Sequence, residues 1–163
     1  MASQGAMTRG VVVLVALANV WTTAAGAQRI ASSPEFRADV LGPGPYSLQL
    51  GTGVNLGAGY YQRLELDLGA GAVRRDHALV GAGRVDALMR VLLDPFGRER
   101  WGLSLAGGVS ARYEAGDRVR PYLVGALDFE GPLTHGTRVA YQLGLGGGIR
   151  VGVVLRRSDS LWR

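Results

Sequence analysis

The chain has 163 residues, room for one domain, and carries 18 basic residues against 13 acids for a net charge of +5 and a pI near 10.2. It has no cysteine, so no disulfide framework supports it, and an acylated amino-terminal cysteine is excluded too. Every basic residue outside histidine is arginine, and many of these arginines alternate with acids instead of gathering on one face, which argues against a nucleic-acid partner.

The first 27 residues read as a secretory signal peptide: Arg9, an apolar run from Val11 to Trp21, then Ala25-Gly26-Ala27, with cleavage expected before Gln28. An apolar run of roughly eleven residues is too short to cross about 30 Å of hydrocarbon as a helix. No apolar run of about twenty residues follows, so residues 28–163 contain no transmembrane helix. As a membrane protein this domain must therefore be a barrel, in which every backbone group finds its partner on a neighbouring strand.

Residues 28–45 alternate at Glu35 to Val40 before Gly42-Pro43-Gly44-Pro45 breaks the pattern, and fit either a short strand or a periplasmic leader. From Tyr46 to Leu56, Tyr46, Leu48, Leu50, Val54 and Leu56 share one face of a strand. Gly57-Ala58-Gly59 forms a tight turn. Tyr60 to Val73 alternates most clearly, with Tyr60, Leu64, Leu66 and Leu68 opposite Arg63, Glu65 and Asp67.

A polar loop at Arg74-Arg75-Asp76-His77 leads through Gly81-Ala82-Gly83 to a strand from Arg84 to Leu93, whose polar face holds Arg84, Asp86 and Arg90 beside Leu88 and Leu92. Asp94-Pro95-Phe96-Gly97 is a turn signal. Trp101 to Tyr113 is the next strand, then a charged loop from Glu114 to Arg120, then a strand from Tyr122 to Glu130. Arg138 to Arg156 keeps one parity throughout, as a long bent strand or as two strands joined at Gly146-Gly147-Gly148. The expected fold is an all-β, antiparallel, up-and-down transmembrane barrel of about eight strands, with six to eight possible.

From Tyr46 onward one strand face carries no charge. The other holds six arginines (Arg63, Arg84, Arg90, Arg112, Arg150 and Arg156) and five acids (Glu65, Asp67, Asp86, Asp128 and Glu130). Such near-balance suits an enclosed lumen, where a buried charge must be paired. A soluble sandwich or lipocalin-like barrel would carry the same alternation with its faces reversed. Two features favour the membrane. Glycines on the polar face (Gly51, Gly53, Gly69, Gly71, Gly102, Gly108, Gly144, Gly146) leave room for arginines in a narrow barrel. Trp101 and Tyr113 end one apolar stripe twelve residues apart, which spans roughly 30 Å along the membrane normal at the usual strand tilt. Tyr46 and Tyr60 are further interface aromatics.

On this pattern the chain resembles the small outer-membrane β-barrels of the OmpA and OmpX kind, found in Gram-negative bacteria. Their carboxy-terminal assembly signal is matched in part by Arg150, Gly152 and Leu155, although Arg157 stands at its last apolar position and Trp162-Arg163 at the end. The resemblance implies a cell outer membrane location, contact with outer-membrane lipid and the barrel-assembly machinery, and a monomer. Arginines outside the strands (Arg74, Arg75, Arg98, Arg100, Arg118, Arg120) are candidates for pairing with lipopolysaccharide phosphates.

Some small barrels of this kind are lipid A-modifying enzymes that use histidine, serine and an acid. Here His77 and His135 have no serine at a spacing that marks a triad, so catalysis is not expected. No metal-ligand cluster and no cofactor motif is present. An eight-stranded lumen is filled by its own side chains, so no open pore is expected either.

Overall fold

The computed structural model describes residues 32–157 except 44, 45, 76 and 97–99. The signal peptide, Asp76, Arg98, Trp162 and Arg163 lie outside the described residues. Eight strands follow in chain order: β1 (Ser32–Gly42), β2 (Ser47–Gly57), β3 (Gln62–Arg75), β4 (Ala78–Leu92), β5 (Gly102–Glu114), β6 (Arg120–Glu130), β7 (Thr137–Leu145) and β8 (Ile149–Arg157). Each pairs antiparallel with the next, and β1 pairs with β8, so the ring is closed and has no free edge.

Both open alternatives resolve toward the larger strand count. β1 is a full strand, joined to β2 from Ser32↔Leu56 to Leu41↔Ser47 and to β8 from Glu35↔Arg156 to Gly42↔Ile149. The long carboxy-terminal segment divides at Gly146-Gly147-Gly148, with Leu145 opposite Ile149. Gly147 and Gly148 take φ of 66° and 136°, and a Cβ at Gly147 would lie 2.9 Å from the Tyr122 ring.

Most strand boundaries differ from those expected by one or two residues, and the start of β4 differs by six. β4 begins at Ala78, because Gly81-Ala82-Gly83 is strand and not connection: Gly83 pairs with Ala70, and Ala82 with Gly71. The β3–β4 connection therefore shrinks to two residues, ending in His77 at φ 70°. Tyr60, expected to open a strand, lies with Tyr61 in the β2–β3 turn, since the backbone is still reversing there and ladder pairing resumes at Gln62. In the β6–β7 connection His135 and Gly136 have φ of 50° and 75° between the mutually hydrogen-bonded Thr134 and Thr137. Two consecutive positive φ values are what a type I′ hairpin turn requires.

Alternation decides which side chains point inward. Outward positions include Leu48 at 60%, Leu50 at 66% and Leu123 at 82% exposure, while Glu65, Asp86, Arg90 and Asp128 inside are at 0%. A smaller apolar cluster of Leu88, Ala106, Val124 and Ala126 occupies the inner wall of β4, β5 and β6.

The inward glycines serve two purposes. At Gly51 a Cβ would press on the Arg37 side chain at 3.0 Å, so the missing side chain makes room for an arginine, whereas at Gly69 and Gly144 Arg84 and Arg150 stand at ordinary contact distance, 3.5 and 3.6 Å. At Gly71 and Gly108 a Cβ would instead overlap the carbonyl oxygens of Leu48 and Ala87 on the neighbouring strand. Those two glycines permit the tight curvature of a small barrel. Gly102 faces open space.

Candidate functional site

The site is the barrel interior, where side chains from strands far apart in sequence meet. Arg90 on β4 donates Nε to Glu65 Oε2 at 2.9 Å and Nη1 to Ser104 Oγ at 3.1 Å, and its Nη1 also bonds Asp128 on β6. Arg156 on β8 shares the same carboxylate, giving Nη2 to Asp128 Oδ2 at 2.6 Å, Nη1 to Glu130 Oε1 at 3.2 Å and Nε to Glu35 Oε2 at 3.1 Å. Half-buried Arg138 closes this end against Glu130 Oε2 at 3.0 Å.

Toward the other end, Arg84 donates Nη2 to Asp39 Oδ2 at 2.5 Å and lies 3.0 Å from Asp86 Oδ2, which in turn accepts Arg150 Nη1 at 2.8 Å. Arg37 on β1 joins the two halves. It reaches Glu65 at 3.1 Å and Asp39 at 3.2 Å, and it also bonds Asp67 and Gln142. Each of these guanidiniums meets at least two polar partners or a buried acid, an arrangement suited to its planar fork of donors.

Ten of the eleven sequence-predicted lumen residues (Glu65, Asp67, Arg84, Asp86, Arg90, Arg112, Asp128, Glu130, Arg150 and Arg156) are buried. Arg63 is half-buried and makes no ion pair within 4 Å among the described residues, because its register neighbour across the ladder is another arginine, Arg90. The sequence reading left out Glu35, Arg37 and Asp39, all buried at 3% or less. Their alternation with Phe36, Ala38 and Val40 was the available signal.

Glu35, Glu65 and Asp67 are close enough to one another to hold a metal ion, with candidate ligand atoms within 4.8 Å. The Arg37 guanidinium lies against all three carboxylates. A cation is thus already supplied by the chain.

The interface aromatics fall at the two ends. Tyr46 and Tyr113 stand near the β1–β2 and β5–β6 connections, at one end. Tyr60 and Trp101 stand at the other, so Trp101 and Tyr113 do terminate opposite ends of the β5 stripe. Trp101 also stacks on Phe129, centroids 4.9 Å apart, and on Tyr141 at 6.1 Å, while Phe96 packs near Tyr60 and Tyr61. That grouping depends on the register of Leu103↔Phe129 and Phe129↔Tyr141, which periodicity alone does not reveal.

Of the arginines outside the predicted strands, Arg74, Arg75, Arg118 and Arg120 lie at the end carrying the β3–β4 and β5–β6 connections. Arg100 is at the opposite end, held by Asp94 at 2.6 Å. His77 and His135, both exposed, also occupy opposite ends.

Solved structures similar to this barrel include two de novo designs. A chain from work on the de novo design of transmembrane β-barrels aligns with a TM-score of 0.53 at 9% identity, covering 81% of this chain and 98% of the design. The solution NMR structure of the de novo design TMB2.3 gives 0.48 at 10% identity, over 82% of this chain and 99% of that one. No family model and no curated protein matches the sequence. What is shared at 9% identity is the fold, a closed antiparallel ring of eight strands.

Proposed function

We propose that this chain is an integral outer-membrane β-barrel of the OmpA and OmpX kind, exported by its signal peptide, with a structural or envelope-interaction role. The observation that carries the reading is the inverted distribution of polarity: large apolar side chains cover the outer surface of the strands, while ion pairs fill the interior. In water that outer surface would be costly at roughly 25 cal/mol per Å², whereas in hydrocarbon it is at home. Strand charge on the outward side is confined to Arg74 and Arg157, both at strand ends.

The packed ionic interior supports a lumen closed to solutes. It also speaks against the alternative of a soluble periplasmic barrel binding an apolar ligand, since such a ligand would have to displace paired charges. The separation of His77 from His135 supports a non-enzymatic role over a lipid A-modifying one. The arginines around one end, Arg74, Arg75, Arg118 and Arg120, suit contact with lipopolysaccharide phosphates. β8, which carries Arg150, Gly152 and Leu155, is the segment offered to the barrel-assembly machinery.

Fractionation of expressing cells tests the reading. The protein should remain in the membrane pellet after alkaline carbonate, and unboiled samples should migrate differently from boiled ones in detergent gels. Recovery in the soluble periplasmic fraction would favour the apolar-ligand alternative.

A further inference from the structure

At one end of the barrel three arginines stand side by side on three adjacent strands. Arg84 on β4 is the direct register partner of Arg112 on β5, and Arg112 is the direct partner of Arg120 on β6. Like charges placed opposite each other on neighbouring strands repel, so the row needs anions. The outer two have them: Arg84 meets Asp39 and Asp86, and Arg120 meets Asp117 at 2.6 Å.

Arg112, in the middle, does not. It is only 9% exposed, donates Nη1 to the Gly147 carbonyl at 2.8 Å, and lies with its guanidinium carbon 5.8 Å from the centre of the Tyr122 ring. Among the described residues no carboxylate comes within 4 Å of it. Nearby Glu114 and Asp117 are engaged by Arg75, at 2.9 and 3.4 Å. A buried cation left uncompensated costs several kcal/mol in general.

Arg112 also lines a cavity of about 160 Å³, open at the barrel mouth, whose wall includes Arg75, Arg120, Tyr122 and the Gly147-Gly148 turn. Three guanidiniums thus border one small polar space, with Glu114 as the acid among the lining residues. Counting Asp117, which meets both Arg75 and Arg120, one positive charge is left over, that of Arg112. A phosphate oxyanion can meet it, and arginine forks bind phosphate oxygens in pairs.

We propose that this mouth cavity is a binding site for a phosphate group, centred on Arg112 and bordered by Arg120 and Arg75. The site deepens the phosphate contact read above for Arg75 and Arg120 by adding a cavity centred on buried Arg112, and inorganic phosphate tests it without reference to the membrane that holds the barrel. The phosphate has two possible sources, free inorganic phosphate or the phosphomonoester of a lipid headgroup.

The test is calorimetric titration of inorganic phosphate into the full-length mature barrel, refolded in a non-ionic, phosphate-free detergent. Saturable one-site binding is expected, weakened by about tenfold or more in Arg112→Gln and in Arg120→Gln, and unchanged in Arg100→Gln at the opposite end. Arg120 is largely exposed, so Arg120→Gln decides the matter if Arg112→Gln does not fold. Competition by a soluble short-chain phosphatidic acid assigns the site to lipid headgroups, and its absence assigns the site to free phosphate. No saturable binding by the unmodified barrel, or equal affinity in the folded Arg112 and Arg120 variants, would overturn the proposal.

Discussion

Arg150 on β8 donates Nη1 to Asp86 Oδ2 on β4 at 2.8 Å, joining two strands that are four apart in a ring of eight and so face each other across its full width. Asp86 is itself the direct ladder neighbour of Asp67, another acid, so its compensation comes from Arg84 on its own strand, at 3.0 Å, and from Arg150 across the lumen. The bridge ties opposite walls together as well as neutralising charge.

This makes Arg150 and Asp86 energetically interdependent. Asp86→Leu should destabilise the folded barrel by about 3–5 kcal/mol, because it strands buried Arg150, and Arg150→Met should cost less, because Asp86 keeps Arg84 at 3.0 Å. The double variant should lose less than the sum, with a coupling of roughly 0.5–3 kcal/mol. Reversible urea unfolding in lipid vesicles supplies the four values, and strict additivity would refute the bridge.

Much of the interior was readable from a period of two, because a strand residue's face follows from its parity alone. Height and azimuth do not follow from parity. The pairing of Arg84 with Asp39, or of Arg156 with Asp128, depends on barrel closure and register, and these partners lie 45 and 28 residues apart in sequence. β1 was obscured by Ser32-Ser33-Pro34 at its start, which carry no apolar alternation, and by the proline-glycine break after it, although the alternation from Glu35 to Val40 matches the other strands. His77 and His135, read from the sequence as loop residues, are turn residues with positive φ, a conformation that histidine tolerates better than most residues do.

Curvature gives a second prediction. Gly108→Ala would press its Cβ into the Ala87 carbonyl on β4, whereas Gly102→Ala meets nothing within 4 Å. The first should cost about 1–3 kcal/mol, and the second should stay within about 1 kcal/mol of neutral, with any gain arising from a stiffer unfolded chain. Parallel unfolding curves of the two variants check this, and equal losses would contradict it.

Asp117, in the β5–β6 connection, should titrate below the ordinary aspartate value of 3.8. The leading cause is the Arg118 backbone N–H donating to its Oδ1 at 2.8 Å, with Arg120 and Arg75 adding positive charge. A depressed folded value means that this contribution to loop order is present above the unfolded pKa and is lost as pH falls through the folded one. Carbon-13 carboxyl titration of Asp117 in the barrel and in a peptide spanning residues 114–120 gives the comparison. A midpoint in the barrel equal to or above that of the peptide would exclude the effect.

The central claim is that the uncharged outer face meets lipid. Because the chain has no cysteine, single cysteines can be placed at Leu105 and Val109 on the outward side of β5, and at Gly116 in the adjoining connection, then spin-labelled in barrels reconstituted in vesicles. Labels at positions 105 and 109 should collide more with oxygen, which concentrates in hydrocarbon, than with a water-soluble nickel chelate, and the label at position 116 should show the reverse. Chelate access at positions 105 and 109 equal to that at 116 would contradict the claim.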